Sequence, residues 1–383
     1  MRDSGLSGLF TLRIALVHDW FTGFGGREQV LRALGNLFGQ ADVHVLFYLP
    51  EELPEFLSGH RVFTSFVQKL PGLRHNYRYY LPLMPIAAER LDLRGYDLVI
   101  SSSHCAAKGV RTSPSAVHIC YCHTPMRDCW SESRSGLVRS GWPAWSRLAA
   151  GALLRYLRHW DRKTAGRVDQ FVANSTTVRR RIQRFYSREA LVIHPPVECE
   201  QFAISKHIGE FYLIVGNLMA YKRIDLAMEA CRQANRRLII IGDGPEGRRL
   251  RSAGTKGIDF LGYQPDEVVA DYMSRCLAFL VPGEEDFGIT AVEAQAAGRP
   301  VIALAKGGAL DSIKGLGTAE QPTGVLFDQA NPSAMANAMA AFEHNAEQFV
   351  PEHIRQHALK FDRSLFLQKF TELVQRCLRN RGQ

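Results

Sequence analysis

Short β-branched apolar runs alternate with amphipathic stretches along almost the whole chain. In the first half the runs are Arg13–His18, Val43–Phe47, Asp97–Ser101, Val117–Tyr121, Asp169–Asn174 and Leu191–His194. In the second they are Phe211–Val215, Arg237–Ile241, Ile258–Leu261, Leu277–Val281, Pro300–Ala303 and Gly324–Phe327. Apolar runs without polar alternation belong to parallel strands covered on both faces, and the helical-period segments between them supply the covers. The pattern predicts an α/β protein with two doubly wound parallel sheets, six strands in each half.

The join is readable at His194-Pro195-Pro196-Val197, where consecutive prolines stop helix and sheet pairing alike. Domains are expected over 1–195 and 196–362, followed by a tail at 363–383. Leu365, Phe366, Phe370, Leu373 and Cys377 recur in that tail at helical spacing, so it must pack on something. Open parallel sheets bind ligands beyond the carboxyl ends of their strands, and two such domains facing one another put the expected site in the cleft between them.

Composition narrows the class. With 383 residues, 46% hydrophobic and 22% charged, the chain is long enough for two cores and excludes a disordered or disulfide-framework protein. No apolar run reaches the roughly 18 residues of a membrane span, and Met1 to Leu12 lacks a secretory core, so a cytoplasmic protein is expected. The eight cysteines form no Cys-x-x-Cys pair. Cys105, Cys120, Cys122 and Cys129 lie near His104, His118 and His123, but at no common zinc spacing, and reduced buried thiols are expected instead of a metal.

Charge is unevenly divided. Residues 1–195 hold 26 Lys and Arg against 15 Asp and Glu, whereas the remainder holds 21 against 23. The predicted helix Arg147–Thr164 lies in the basic stretch and carries Leu148, Leu153, Leu154, Leu157 and Trp160. It either rests on anionic lipid or turns its apolar stripe to the core. No nucleic-acid motif accompanies the basic surface, and nucleic acid is not expected as a partner.

Four segments could carry chemistry. After the first strand, Gly23, Gly25 and Gly26 lead into a helix, a place for close backbone approach to an anion. His123 follows a strand directly, before the stiff Thr124-Pro125 turn, placed to reach into a cleft or to serve structure. Lys222 and Arg223 stand at the start of the predicted helix Ile224–Ala234, where cations oppose the helix dipole unless an anion joins them. Most informative is Pro282–Ala294, in which Glu284-Glu285-Asp286 precede a helix start at Phe287 to Ile289 and Glu293 falls in the second turn. Carboxylates accept from hydroxyls and amides donate to phosphate, so this segment suits a ligand offering both.

Glu285, Phe287-Gly288-Ile289 and Glu293, followed by Ala297 to Ile302, resemble the signature of retaining family 4 glycosyltransferases with the GT-B fold. The resemblance extends over His18-Asp19-Trp20, Gly25-Gly26, His123 to Arg127, Val172 to Ser175, His194 to Val197, Gly242 to Pro245 and Gly307-Gly308. It implies two Rossmann-like domains and transfer of a hexose from a nucleotide diphosphate with retained configuration. His123 to Arg127 and Glu285 to Ile289 are similar to a bacterial polysaccharide subgroup that often uses GDP-mannose. By resemblance, Glu285 binds donor-sugar hydroxyls, Glu293 the ribose, Phe287 to Ile289 the sugar and diphosphate through main-chain N–H groups, and Lys222 and Arg223 the diphosphate. Gly25 and Gly26 approach the diphosphate, and His123 reaches the sugar near the transfer centre. Such enzymes ordinarily need no metal or other cofactor. Their closing helix crosses back to the first domain, the role expected of the tail.

One departure stands out. Many relatives have Arg at the position of Asn217, which brings hydrogen bonds but no charge. Asp266 either accepts from a guanine edge or caps the helix Glu267–Arg275. The expected partners are a nucleotide-sugar donor, a lipid-linked or oligosaccharide acceptor and the anionic inner face of the cytoplasmic membrane. A UDP-hexose donor, an epimerase and a non-catalytic binding protein remain as alternatives.

Overall fold

Strands form where the apolar runs stand, because each run can bury both of its faces. In the computed structural model, which describes residues 12–23, 25–130, 144–254 and 256–381, the first half holds nine strands. They are β1 (Ile14–Phe21), β2 (Asp42–Tyr48), β3 (Val62–Thr64), β4 (Asp92–Leu93), β5 (Leu98–Ser103), β6 (Arg111–Thr112), β7 (Val117–Cys122), β8 (Gln170–Ala173) and β9 (Ala190–Val192). The second half holds β10 (Phe211–Val215), β11 (Arg237–Ile241), β12 (Ile258–Gly262), β13 (Phe279–Val281), β14 (Val301–Leu304) and β15 (Gly324–Phe327).

Two parallel sheets result. The first runs β3-β2-β1-β5-β7-β8-β9 and the second β12-β11-β10-β13-β14-β15. The first thus has seven strands, not six. The extra member, β3, is a three-residue edge strand, too short to leave a periodic signal, with its Phe63 42% exposed. β4 and β6 form a separate two-residue pair.

Each sheet winds outward from a central strand: β1 lies between β2 and β5, and β10 between β11 and β13. Successive helices leave to opposite faces at these strands, which opens a crevice at their carboxyl ends.

The chain divides into two compact units, one running to His194 and resuming at Phe366, the other spanning Pro195–Leu365. In the first, Ile14 and Leu16 of β1 face Val30, Leu31 and Leu34 of the helix Gly26–Leu37, together with Phe366, Phe370, Leu373 and Val374 of the last helix, Arg363–Arg381. Each such side chain is worth roughly 1.5–3 kcal/mol on burial, so these four hold the closing helix in the first unit. Ala15 and Val17 face the other way, onto a cluster containing Met84, Leu157 and Trp160.

Leu157 and Trp160 belong to the helix Ala144–Thr164 and are core, with Leu153 packed against the same cluster. Its outward positions are Arg155, Tyr156, Arg158, His159, Arg162 and Lys163, and Leu148 is 75% exposed. All eight cysteines are free thiols, seven of them buried. Cys105 and Cys129 lie in one core cluster and Cys120 and Cys122 in another, so they do not converge.

Candidate functional site

In the second unit the loops leaving β10 and β13 diverge at the switch point, and the crevice between them is lined by Lys222, Ile224, Pro282, Gly283, Glu285 and Thr290 among others. Lys222 ends a 3-10 turn, Ala220–Lys222, and its Nζ lies 2.8 Å from Oε1 of Glu285. Both side chains keep a solvent-exposed fraction, 16% and 21%. The two residues with the strongest expected roles are therefore joined across the crevice.

Backbone packing explains the placement. A Cβ on Gly283 would stand 2.3 Å from the Tyr221 carbonyl oxygen, so only glycine lets the β13 loop lie against the Lys222 turn. Beneath Glu285 runs Gly307-Gly308, whose Gly308 N–H donates to the Glu285 carbonyl at 2.9 Å. A Cβ at 308 would fall 2.2 Å from the Phe287 Cα. Gly307-Gly308 had a place in the motif but no role; its role is to support the acidic loop.

Phe287 is buried against Phe361, with ring centroids 5.5 Å apart, so what it offers a ligand is main chain. Gly288 caps the helix Ile289–Ala296 in the left-handed conformation at φ 86°. The first-turn N–H groups of that helix lack intrahelical acceptors and carry its positive dipole end. Glu293 sits half-buried in the second turn. Burial, with the Asp362 carboxylate and then Glu293 and Glu198 nearby, pushes the Cys199 thiol up to about 12.

Two readings change here. Arg223 stands at φ 51° as the N-cap of Ile224–Gln233, with its Nε 3.3 Å from Asp225 Oδ1. Asp225 and Glu285 thus supply the anions that cations at this helix start require, so the sequence alone did not demand phosphate there. Asp266 does not cap: Pro265 is the N-cap of Asp266–Arg275, and Asp266 is an exposed first-turn residue. Asn217 is exposed, its Oδ1 2.3 Å from where a Cβ on Gly244 would lie.

The first unit gathers a different set at the carboxyl ends of β1, β5 and β7. His123 is 6% exposed, and its Nε2 lies 2.8 Å from Ser102 Oγ. That hydroxyl is also 3.2 Å from His18 Nδ1, and His18 Nε2 is 3.6 Å from Glu28 Oε1. Asn174 donates through Nδ2 to the His123 carbonyl at 2.9 Å. Asp19 accepts the backbone N–H groups of His104, Cys105, Ala106 and Ala107 at 2.6–2.9 Å.

Burial alone would raise the carboxylate pKa values, but partners outweigh it. Asp19, beside His104, lies well below the ordinary carboxylate range. Glu28, against His18 and Arg27, is lowered to about 2. Burial, followed by the Arg27 charge, lowers His104 to about 4. Burial, then His104, His18 and Arg27, holds His123 well below the usual imidazole value.

Gly25 and Gly26 are the N-cap and first residue of Gly26–Leu37, as an anion-binding turn requires. The anion already at that helix start is the chain's own Glu28, whose Oε2 lies 3.4 Å from the position of a Cβ on Gly25. His18, Asp19, Ser102, His104 and Glu28 were given no role from sequence. The available signal was a run of polar residues, Ser101-Ser102-Ser103-His104, closing an apolar strand. Among the described residues, no three His, Cys, Asp or Glu side chains form a metal-ligand group.

Comparison with known proteins covers most of the chain. A model described as Glycosyltransferase Family 4 matches residues 24–201, and one described as Glycosyl transferases group 1 matches 201–360. An uncharacterized glycosyltransferase of Methanocaldococcus jannaschii is 25% identical over 184 residues, 47% of this chain and 51% of that protein. A D-inositol 3-phosphate glycosyltransferase of Geodermatophilus obscurus is 26% identical over 235 residues, 52% of this chain and 51% of that protein. The chain spans about half the length of the curated relatives it matches. The crystal structure of Anabaena Alr3699/HepE in complex with UDP superposes with a TM-score of 0.69 at 16% identity, covering 95% of this chain and 99% of that one. At that identity the likeness is one of fold.

Proposed function

Because the chain belongs to the GT-B glycosyltransferases, we propose that it transfers a hexose from a nucleotide diphosphate to an acceptor hydroxyl, with retained configuration. The Lys222–Glu285 pair at the mouth of the β10/β13 crevice carries this reading. A diphosphate entering the crevice takes Lys222 as its counter-ion, and Glu285 is released to accept hydrogen bonds from sugar hydroxyls. The exchange replaces one ion pair with two ligand contacts.

As the glycosidic bond breaks, negative charge grows on the leaving diphosphate while the sugar acquires oxocarbenium character. Lys222, Arg223 and the N–H groups at the start of Ile289–Ala296 offset that charge. Glu293 accepts from the ribose, and His123 from the sugar. The leaving phosphate takes the acceptor proton on the same face. No residue of the site requires a metal in this scheme.

For the donor base we favour guanine, because Asp266 is exposed beyond the end of β12 and free of a capping duty, so its carboxylate can accept from the N–H edge of the base. Mannose from GDP-mannose is the donor we infer from the polysaccharide-type motifs. The acceptor is inferred to be lipid-linked, with the exposed basic face of Ala144–Thr164 meeting anionic lipid at the inner membrane surface. Among the described residues no helix is long and apolar enough to cross a membrane. A screen of GDP- and UDP-sugars with product identification tests the reading: turnover restricted to a UDP-sugar removes guanine, and no turnover, including donor hydrolysis, removes transfer.

A further inference from the structure

Four side chains, from the helix Gly26–Leu37, β1, β5 and the turn after β7, form a line in the first unit, and hydrogen-bond chemistry gives that line a direction. The Glu28 carboxylate only accepts. His18 Nε2 is fully buried, and Glu28 Oε1 faces it at 3.6 Å. An N–H there is attracted to the carboxylate, whereas a lone pair is repelled. In the neutral ring the lone pair then falls on His18 Nδ1, 3.2 Å from Ser102 Oγ. Ser102 has one hydroxyl proton and donates it in a hydrogen bond to His18 Nδ1. Toward His123 Nε2, at 2.8 Å, Ser102 therefore presents only lone pairs, and Nε2 must be the N–H donor.

We propose that Glu28 is a positioning residue which, through His18 and Ser102, fixes the tautomer of His123 so that Nδ1 carries the lone pair and takes a hydrogen bond from a sugar hydroxyl. This rests on the glycosyl-transfer reading. It also specifies the chemistry His123 selects: a hydroxyl, which can donate, is accepted, and a phosphate oxygen, which cannot, is turned away.

The surroundings support a neutral His123. Arg27 and Glu28 face it from the helix Gly26–Leu37, His18 from β1 and His104 from the turn after β5, and burial adds to the positive neighbours in disfavouring its charged form. The Asn174 hydrogen bond to the His123 carbonyl holds its backbone while the ring orientation is set by Ser102.

The test reads the tautomers directly, in the full chain labelled with 15N-histidine and free of donor, by long-range proton–nitrogen correlation at neutral pH. His118 is an internal control, because its Nδ1 is 3.2 Å from the Arg167 carbonyl oxygen and must be an N–H there. In the unsubstituted protein His123 is expected to be protonated on Nε2 and bare on Nδ1. In Ser102→Ala, His18 keeps its proton on Nε2 while His123 becomes a mixture. In Glu28→Gln both rings become mixtures, and His118 is unchanged in either variant.

A His123 protonated on Nδ1 in the unsubstituted protein overturns the proposal, and so does a His123 indifferent to both substitutions. The first of these readings needs no variant to fold. With the donor found by the screen, Glu28→Gln should lower kcat about tenfold with donor KM within about twofold, the pattern of a group acting on the chemical step. If no donor supports transfer, the tautomers measured without donor still stand or fall on their own.

Discussion

The two crevices rest on opposite electrostatic designs. In the second unit the working groups, Lys222 and Glu285, keep contact with solvent and neutralise each other across a gap shaped by glycines. In the first, Asp19, Glu28, His18, Ser102 and His123 are buried, and each depends on a partner from another strand or turn. A partly buried ion pair at the mouth of a crevice keeps contact with water and can exchange its partner for a ligand's charges. A buried polar network is costly to break and holds its members in fixed protonation states. One site is built to change partners, the other to keep them.

Acid should separate the two units most strongly. Burial lowers His44, His104 and His118 of the first unit to about 4, from an ordinary 6.5, and holds His123 well below that ordinary value; the second unit has His357, also lowered by burial to about 4. The unfolded chain takes up these protons first, so their contribution is complete above pH 6.5 and is lost as pH falls toward about 4. Each histidine costs up to roughly 1.4 kcal/mol per pH unit in that window. Glu28 adds a loss between 4.5 and about 2. All five tryptophans fall within residues 1–194 of the sequence. Urea unfolding followed by tryptophan fluorescence should therefore shift to lower urea between pH 7 and 5 more than the part of the circular dichroism transition due to the second unit. Equal shifts would break the contrast.

Asp19→Ala comes next in size. It strips four buried N–H groups of their acceptor, and at roughly 1–3 kcal/mol for each unsatisfied group the first unit should lose more than about 3 kcal/mol. The same fluorescence titration measures it.

Lys222→Ala and Glu285→Ala should show the reverse: the fold is kept, with transfer reduced at least tenfold, about 1.4 kcal/mol of transition-state stabilisation. Near-normal turnover in either variant removes that residue from its role. Smaller effects are expected at the surface. Asn217→Arg should tighten donor binding severalfold by calorimetry, because it adds a charge next to the diphosphate path. Anionic vesicles should bind the protein at low salt and release it as salt rises, at about 1 kcal/mol per engaged basic residue. Equal recovery on neutral and anionic vesicles would remove the role of the Ala144–Thr164 face.

Much of the second site was legible because its residues are close in the chain. Glu285, Phe287 to Ile289 and Glu293 fall within nine positions, and a strand, a loop and a helix start in that order place them beside one another. The opposing Lys222 follows the central strand of the same sheet, so topology brought it near. What the pattern could not show was that Lys222 and Glu285 hold each other, since an ion pair across 63 positions depends on loop geometry and on the contacts of Gly283 and Gly308.

The sequence by itself determined the two parallel sheets and the acidic motif, because periodicity and helix starts are local properties. It did not disclose β3, whose three residues are too few to show a period, nor the capping of Asp266–Arg275 by Pro265, a matter of one residue in register. Only the tertiary structure decided that Leu157 and Trp160 turn inward, and that Glu28, His18, Ser102 and His123 form one line. Those residues lie up to 105 positions apart, and their polar atoms meet because β1, β5 and β7 end at one edge of the sheet while the helix after β1 returns Glu28 to it.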